Sequence, residues 1–335
     1  MTPVTPAGHG APDASHALDQ LDLRLLQALE LDGWASFSRI AQVLGVSDQT
    51  VARRVRRLRT TANVRITGMV DDCRLGRSGW IVRLGCGHGA AGQLAATLAG
   101  RSDTHYVDIA ASGSEVICSI TPHSRREGDD LLLERLQRIP HVTSVSSHCV
   151  LHAFYGHSLR WLRKINALEP AEESALRAPA PSPELAAAPV TPDAVDHAML
   201  EALRIDGRAT LTDLQRVTGL SETAVRRRLD RLRATGVLHI AVEYDHEPLG
   251  QGVEALVWLT VAPHDLAGAG QALAARPEVR FAAAITGHTN LVFSVLCRTP
   301  PDLYAFLTEQ VGALSGVQAA ETVLTLRRVK TLTVG

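Results

Sequence analysis

Residues 47–59 read SDQTVARRVRRLR, and five of these thirteen are arginine in a chain of 335 residues whose net charge is only −1. Arginine carries a planar, permanently charged fork that pairs with phosphate and with the major-groove edge of guanine. Gathered in one stretch of a nearly neutral protein, it marks a local surface. On a helix at 100° per residue, Val51, Val55 and Leu58 fall on one side. Gln49, Arg53, Arg56 and Arg57 face the other way, flanked by Thr50. Residues 49–66 hold six arginines and no acid. A merely solvated face mixes acids and bases in i,i+4 pairs, and a membrane-surface helix needs a broad, bulky apolar side. Neither fits, so the chemistry expected here is contact with nucleic acid.

Signals for other chemistry are weak. There is no P-loop, G-x-G-x-x-G, H-E-x-x-H or G-x-S-x-G, so no catalytic residue is expected. The Gly-rich LGCGHGAAG (84–92) lacks the Lys-Ser/Thr of a phosphate loop and reads as a flexible connection. Cys73, Cys86, Cys118, Cys149 and Cys297 are scattered without a C-x-x-C pair, which supports neither a zinc site nor a disulfide framework and fits a reduced, cytoplasmic compartment. SHCVLHAFYGH supplies His148, His152 and His157; partly exposed sheet residues, metal or haem contact, and small-ligand contact all remain open for them. No metal or cofactor is expected. Residues 1–17 lack a basic start and an apolar run, and their Pro, Gly and Ala bias reads as a disordered tail. No segment approaches the length of a membrane span.

The arginine stretch recurs. SETAVRRRLDRLR at 221–233 lies 174 residues after the first copy, and the same offset takes Asp22 to Asp196, Gly33 to Gly207 and Gly113 to Gly287. Beyond Gly113 the offset is 175, so a turn in the first copy is one residue shorter. A unit of about 145 residues is therefore used twice. Between the copies, the Ala-, Pro- and Glu-rich segment 167–193 reads as a semi-extended linker, preceded by a short helix over 157–168.

The front of each unit reads as three helices. Leu21, Leu25, Leu26 and Leu29 share one face of the first, matched by Val195, Met199, Leu200 and Leu203. Gly45 and Gly219 suit a tight turn, and Ser47 and Ser221 an N-cap, so the second and third helices make a helix-turn-helix. The copies differ in kind. Asp230 stands where the first copy has Arg56, and Thr223 and Arg227 stand where it has Gln49 and Arg53. The two heads should read different bases, the second holding phosphate more weakly. Behind each head the period changes to short apolar runs in the order β-α-β-β-α-β. An RNA platform of that order needs aromatics on its third strand; EVICSI and NLVFSVL hold one Phe between them.

These motifs carry a resemblance. LDQLDLRLLQALELDGW, TGLSETAVRRRLDRLRATGVL, AITGHTNLVF and GVQAAETVLTLRRVK resemble the Lrp/AsnC transcription regulators over about 18–156 and 192–331. The resemblance implies a DNA-binding head and a sandwich that dimerises and binds an amino acid or related metabolite. Two units in series look like a fused, unequal dimer. The fused sirohaem decarboxylases share this tandem plan and are the alternative, although that enzyme has no reason to keep five or six arginines on each third helix.

The expected fold is therefore α+β, two tandem units of a winged-type helix-turn-helix and a ferredoxin-like βαββαβ sandwich. The expected domains are a tail at 1–17, head 1 at 18–66, sandwich 1 at 67–157, helix and linker at 158–191, head 2 at 192–239 and sandwich 2 at 240–335. The expected partner is double-stranded DNA, through Ser47, Gln49, Thr50, Arg53, Arg54 and Arg57 and through Ser221, Thr223, Arg226, Arg227, Arg228 and Arg231. Arg54 and Arg228 sit on the helix flank, to touch phosphate or brace the fold. The family's effector turn maps to Gly113, Ser114 and Glu115 and to Gly287, His288, Thr289 and Asn290. Homo-oligomers through the sandwiches are expected, and no membrane partner.

Overall fold

The computed structural model describes residues 18–122, 124–155, 167–177, 190–244 and 252–330. The expected tail, and the helix expected over 157–168 apart from its last two residues, lie outside these.

Each head forms because its helix starts and stops are written locally. In α1 (Gln20–Leu31), Asp19 and Asp22 accept each other's backbone N–H in a capping box. Helix α2 (Phe37–Leu44) starts on Ser36 and ends at Gly45, whose φ of 69° is left-handed and would strain any side chain. Helix α3 (Asp48–Thr61) starts on Ser47 and is followed by Asn63, left-handed at φ 48°. Leu25, Leu26, Leu29, Ile40, Val51 and Leu58 fuse the three helices into one core. The chain then enters strand β1 (Arg65–Val70).

The first sandwich follows as β2 (Trp80–Cys86), α4 (Ala91–Ala99), β3 (Thr104–Ala110), β4 (Glu115–Ile120), α5 (Arg125–Asp130) and β5 (Val142–Tyr155). A docked helix, α6 (Pro170–Leu176), lies between the units. The second unit repeats the plan. Its head holds α7 (Ala194–Ile205), α8 (Leu211–Thr218), α9 (Glu222–Ala234) and strand β6 (Leu238–Glu243). Its sandwich holds β7 (Val253–Val261), α10 (Leu266–Ala274), β8 (Val279–Ile285), β9 (Leu291–Cys297), α11 (Pro300–Ala305) and β10 (Val317–Lys330).

The units do not stand apart. Strand β1 pairs antiparallel with β6, from Arg65 opposite Glu243 to Val70 opposite Leu238, so each unit completes the other's wing. The boundaries expected at 66/67 and 239/240 fall inside this shared ribbon. The equivalent Gly33 and Gly207 pack against it: a Cβ on Gly207 would sit 2.7 to 2.9 Å from the Thr67 backbone, and one on Gly33 2.1 Å from Ile240.

The sandwiches interlock as well. Their eight strands close into a barrel in the order β10-β3-β4-β2-β5-β8-β9-β7. The long strands make the closure. Strand β5 pairs with β2 along its first half and crosses to β8 along its second, while β10 pairs with β7 and then with β3. Closure leaves no open sheet edge between the halves. One face of each sheet buries its own helices; the other faces the opposite sheet through Ile81, Ile117, Leu256, Trp258, Ile285 and Val292. The expected sandwich pairing thus occurs within one chain.

The linker expectation needs correcting. Helix α6 packs on head 1, where Leu168 and Leu176 join the head core. Arg24 pairs with Glu172, Gln27 Nε2 donates to Glu173 at 2.8 Å, and Gln27 Oε1 accepts from Leu168 N at 2.8 Å. Gln27 is fully buried, and α6 is what satisfies it. Glu169 at the N-cap with Pro170 behind it is a helix start whose importance the surrounding Ala and Pro obscure.

Candidate nucleic-acid interface and effector turns

Helix α3 buries Val51, Val55 and Leu58 against α1 and α2 and turns Gln49, Arg53, Arg56 and Arg57 outward. The arginines then divide. Arg54 bonds Asp19 and, at 3.0 Å, Asp22; Arg57 bonds the other oxygen of Asp22. Asp22 has no exposed surface, and a buried carboxylate must be paired and hydrogen-bonded to be tolerated. Burial opposes ionisation of Asp19, but the Arg54 bond and the Asp22 N–H outweigh it and hold its carboxyl below the ordinary range. The second head repeats the device: Arg228 bonds Asp193 at 2.7 Å and Asp196 at 2.9 Å, and Arg231 bonds Asp196.

Arg57 and Arg231, expected at the DNA face, are therefore each held by a buried aspartate on the first helix of their own head. Arg54 and Arg228 brace the fold. The signal was present in sequence, since Asp22 and Asp196 are acids set among the apolar residues of their helices. Ser47 and Ser221 act as N-caps, and the Thr50 hydroxyl lies 3.0 Å from Ser47 Oγ, inside the cap.

What remains free differs between the heads. On α3, Arg53, Arg56 and Arg59 are exposed and make no ion pair among the described residues. On α9, Arg226 is paired with Glu222 at 2.9 Å, and Arg233 lies over the Trp34 ring at 4.3 Å. Arg227 is exposed without an ion pair among the described residues, beside exposed Thr223 and Asp230.

The heads are fixed to each other at equivalent turns. Trp34 Nε1 donates to Gly207 O, while Arg208 donates to Ala35 O at 2.8 Å and stacks over Phe37 at 4.6 Å. Trp34 and Arg208 occupy the same position in the two copies, so equivalent positions join the two heads. With the shared ribbon, these contacts hold α3 and α9 in one relation.

At the two turns where an effector was expected, the polar side chains are largely engaged by the fold itself. Gly113 has φ 86°, and Ser114 Oγ donates to Ala111 O at 2.7 Å. Glu115 accepts from Arg83 at 2.6 and 3.2 Å; Arg83 also bonds Glu321 and lies 4.8 Å over Trp258. The Glu321 bond leads in raising the Arg83 pKa, against the opposing effect of burial. At the second turn Gly287 has φ 120°. Asn290 accepts from Val261 N and donates to Val261 O, both at 2.8 Å, and the His288 carbonyl accepts from Thr260 Oγ1 at 3.2 Å. Glu115 and Asn290 are thus committed inside the fold, and neither turn lines the cavity between the two sheets.

His148 is buried, its Nδ1 2.7 Å from Thr286 O and its Nε2 2.8 Å from Ser146 Oγ. His152 is exposed beside Phe154, and the β5–β8 pairing is irregular between Val150 and His152. His157 lies outside the described residues. Among the described residues no group of three His, Cys, Asp or Glu could hold a metal ion, and no helix is long and apolar enough to cross a membrane.

Two helix-turn-helix heads carried on a joined pair of βαββαβ sandwiches define a class of protein in which one joined body presents two helix-turn-helix units. Residues 18–59 and 193–233 match the AsnC-type helix-turn-helix domain, and residues 254–334 match the Lrp/AsnC ligand binding domain. An HTH-type transcriptional regulator of Mycobacterium tuberculosis is 31% identical over 139 residues, covering 40% of this chain and 91% of that protein. The HTH-type transcriptional regulator FL11 of Pyrococcus furiosus is 28% identical over 136 residues, 40% of this chain and 89% of its own length. The chain belongs to the Lrp/AsnC family of DNA-binding regulators. Each of these two relatives corresponds in length to a single unit. A likeness over both units comes from the solved siroheme decarboxylase NirDL, with a TM-score of 0.63, 12% identity and 94% coverage of each chain. At that identity the likeness is one of fold.

Proposed function

We propose that this protein is a cytoplasmic, sequence-specific transcription regulator whose two unequal heads bind double-stranded DNA and whose sandwiches respond to a small metabolite such as an amino acid. The observation that carries the reading is the outward face of α3, where Arg53, Arg56 and Arg59 stand exposed without an ion pair among the described residues. Such a face is suited to phosphate and to guanine edges in a major groove. The second head contributes Thr223 and Arg227 and is the weaker electrostatic partner. Exposed Leu151 and Leu326 lie at equivalent places on β5 and β10, which supports association of copies through the barrel.

The test uses DNA sites selected by the wild-type protein from a random library. The double variant Arg53→Ala, Arg227→Ala should bind them at least tenfold more weakly at moderate salt, and unchanged binding sinks the reading. The NirDL fold keeps a decarboxylase in view as the second reading. That reading leaves the free arginines without a role and expects purified protein to carry a red, haem-like absorbance.

A further inference from the structure

On the outer, helical side of the first sandwich, α4 and the segment that follows α5 enclose a groove of about 450 Å³. Leu94, Ile139 and Pro140 supply its apolar part. Arg135, Arg138 and His141 line it from the segment after α5, and Gln93 and Thr97 from α4. Among the described residues no carboxylate lines it. Arg135 stands 3.7 Å from Asp130 and Arg138 2.9 Å from Glu134, and all four side chains are more than half exposed. Ion pairs so open to water contribute little, so a dianion can compete for both guanidiniums.

The second sandwich has the same backbone here and none of this chemistry. Gly87 N donates to His141 O at 3.0 Å, and Ala262 N to Gly316 O at 2.8 Å. Ala90 N donates to Gly87 O at 3.1 Å, and Asp265 N to Ala262 O at 2.9 Å. His141 therefore corresponds to Gly316, and Ala90 to Asp265. Further along the same elements, Gln93 and Thr97 correspond to Gly268 and Ala272, and Arg135 and Arg138 to Gln310 and Ala313. A Cβ on Gly316 would lie 2.2 Å from Asp265 Oδ2, so the Asp265 side chain fills the space that Ala90 leaves open beside His141. Both sandwiches fold, so the cations are not needed for the fold.

His141 adds a second observation. Its φ is 68°, and Gly316 adopts 73° at the same place without a side chain to strain. The left-handed conformation costs a residue with a Cβ free energy that glycine does not lose. The exposed imidazole makes no hydrogen bond or ion pair among the described residues that would offset this cost. Strain held without an internal return points to a role outside the fold.

We propose that this groove is a binding site for the phosphate monoester of a small molecule, one per chain. The phosphate accepts from the Arg135 and Arg138 guanidiniums, whose planar forks suit its oxygens, and from the His141 ring. The organic part of the ligand lies over Leu94, Ile139 and Pro140, beside the Gln93 amide and the Thr97 hydroxyl. No residue of either head enters the site, so the proposal stands apart from the DNA reading.

The test is calorimetric titration of the full chain with glycerol 3-phosphate, ribose 5-phosphate, glucose 6-phosphate and adenosine monophosphate, each beside its phosphate-free parent. At least one ester should bind one per chain, and its parent should not. Arg135→Gln and Arg138→Ala install the residues that the second sandwich already folds with, and each should weaken binding by about tenfold, the loss of one hydrogen bond to a charged group. His141→Gly should also weaken binding while raising the urea midpoint, because glycine relieves the left-handed strain. Arg216→Ala, an exposed arginine of the second head, should bind as wild type. A wild type that binds none of the four esters overturns the proposal. So does equal weakening by Arg216→Ala, which reduces the effect to general charge. If no ester binds and Arg135→Gln with Arg138→Ala instead lowers the salt slope of DNA binding, the groove meets the DNA backbone; the proposal falls and the DNA reading stands.

Discussion

Arg53 and Arg57 are one helical turn apart on α3 and both face outward, but of the two only Arg57 is held in an ion pair among the described residues. Arg57→Ala removes one of two guanidinium bonds to a carboxylate with no exposed surface. A hydrogen bond to a charged group contributes about 1.5–3 kcal/mol. Arg54 stays at 3.0 Å, the Asp19 N–H stays at 3.2 Å, and the Arg57 side chain is 46% exposed, all of which put the loss at the low end. Arg57→Ala should therefore destabilise the head by about 1–2 kcal/mol, read as a lower urea midpoint at unchanged slope. Arg53→Ala breaks no ion pair and should move stability by less than about 0.5 kcal/mol. On DNA the order reverses. Losing one phosphate contact lowers the slope of log affinity against log salt by about 0.9, measured by anisotropy between about 50 and 200 mM salt. If Arg53 forms a bidentate contact with guanine, its loss costs about 1–3 kcal/mol at one base position. Arg57→Ala should leave the slope nearly unchanged. A variant Arg57→Ala that unfolds like wild type but loses as much salt slope as Arg53→Ala would refute the division of the arginines.

Three further outcomes are expected. Asp230→Arg replaces an exposed acid on α9 with the residue of the first head, and should tighten DNA binding and steepen the salt slope by about 0.9 or more; an unchanged slope would mean that this helix does not approach the backbone. Gly207→Ala drives a methyl group into the Thr67 backbone and should cost about 1–3 kcal/mol in denaturant unfolding, with Leu176→Ala costing about 2–4 kcal/mol by emptying the site where α6 docks. The Arg83 bond holds the Glu321 carboxyl below its ordinary value of 4.5. Stability from that bond is present above pH 4.5 and is lost as pH falls through the lower folded value, so Arg83→Met should flatten the acid limb of a stability–pH curve.

Local physics made much of this legible in the residues. The αL glycines, the Ser and Asp caps and the Val51–Val55–Leu58 stripe are set by neighbours within a few positions, so the helices and the outward face of α3 could be read directly. The repeat needed only the chain compared with itself. The docking of α6 was harder, because it depends on a buried Gln27 roughly 140 residues earlier, and the free energy lies in the pairing, not in either segment.

The site residues divide the same way. Position on a helix wheel placed Arg53, Arg56 and Arg57 on one face, and only the packing of α1 on α3 revealed that Asp22 takes Arg57 back. Sequence alone determined two helix-turn-helix heads, two βαββαβ sandwiches and an excess of positive charge on the first recognition helix, because periodicity, capping and charge are properties of short segments. Tertiary structure decided that the units share one ribbon and one barrel, and which arginines are free. It also decided where Arg135, Arg138 and His141 meet Gln93 and Thr97, since a groove is made by segments distant in the chain and has no local signature.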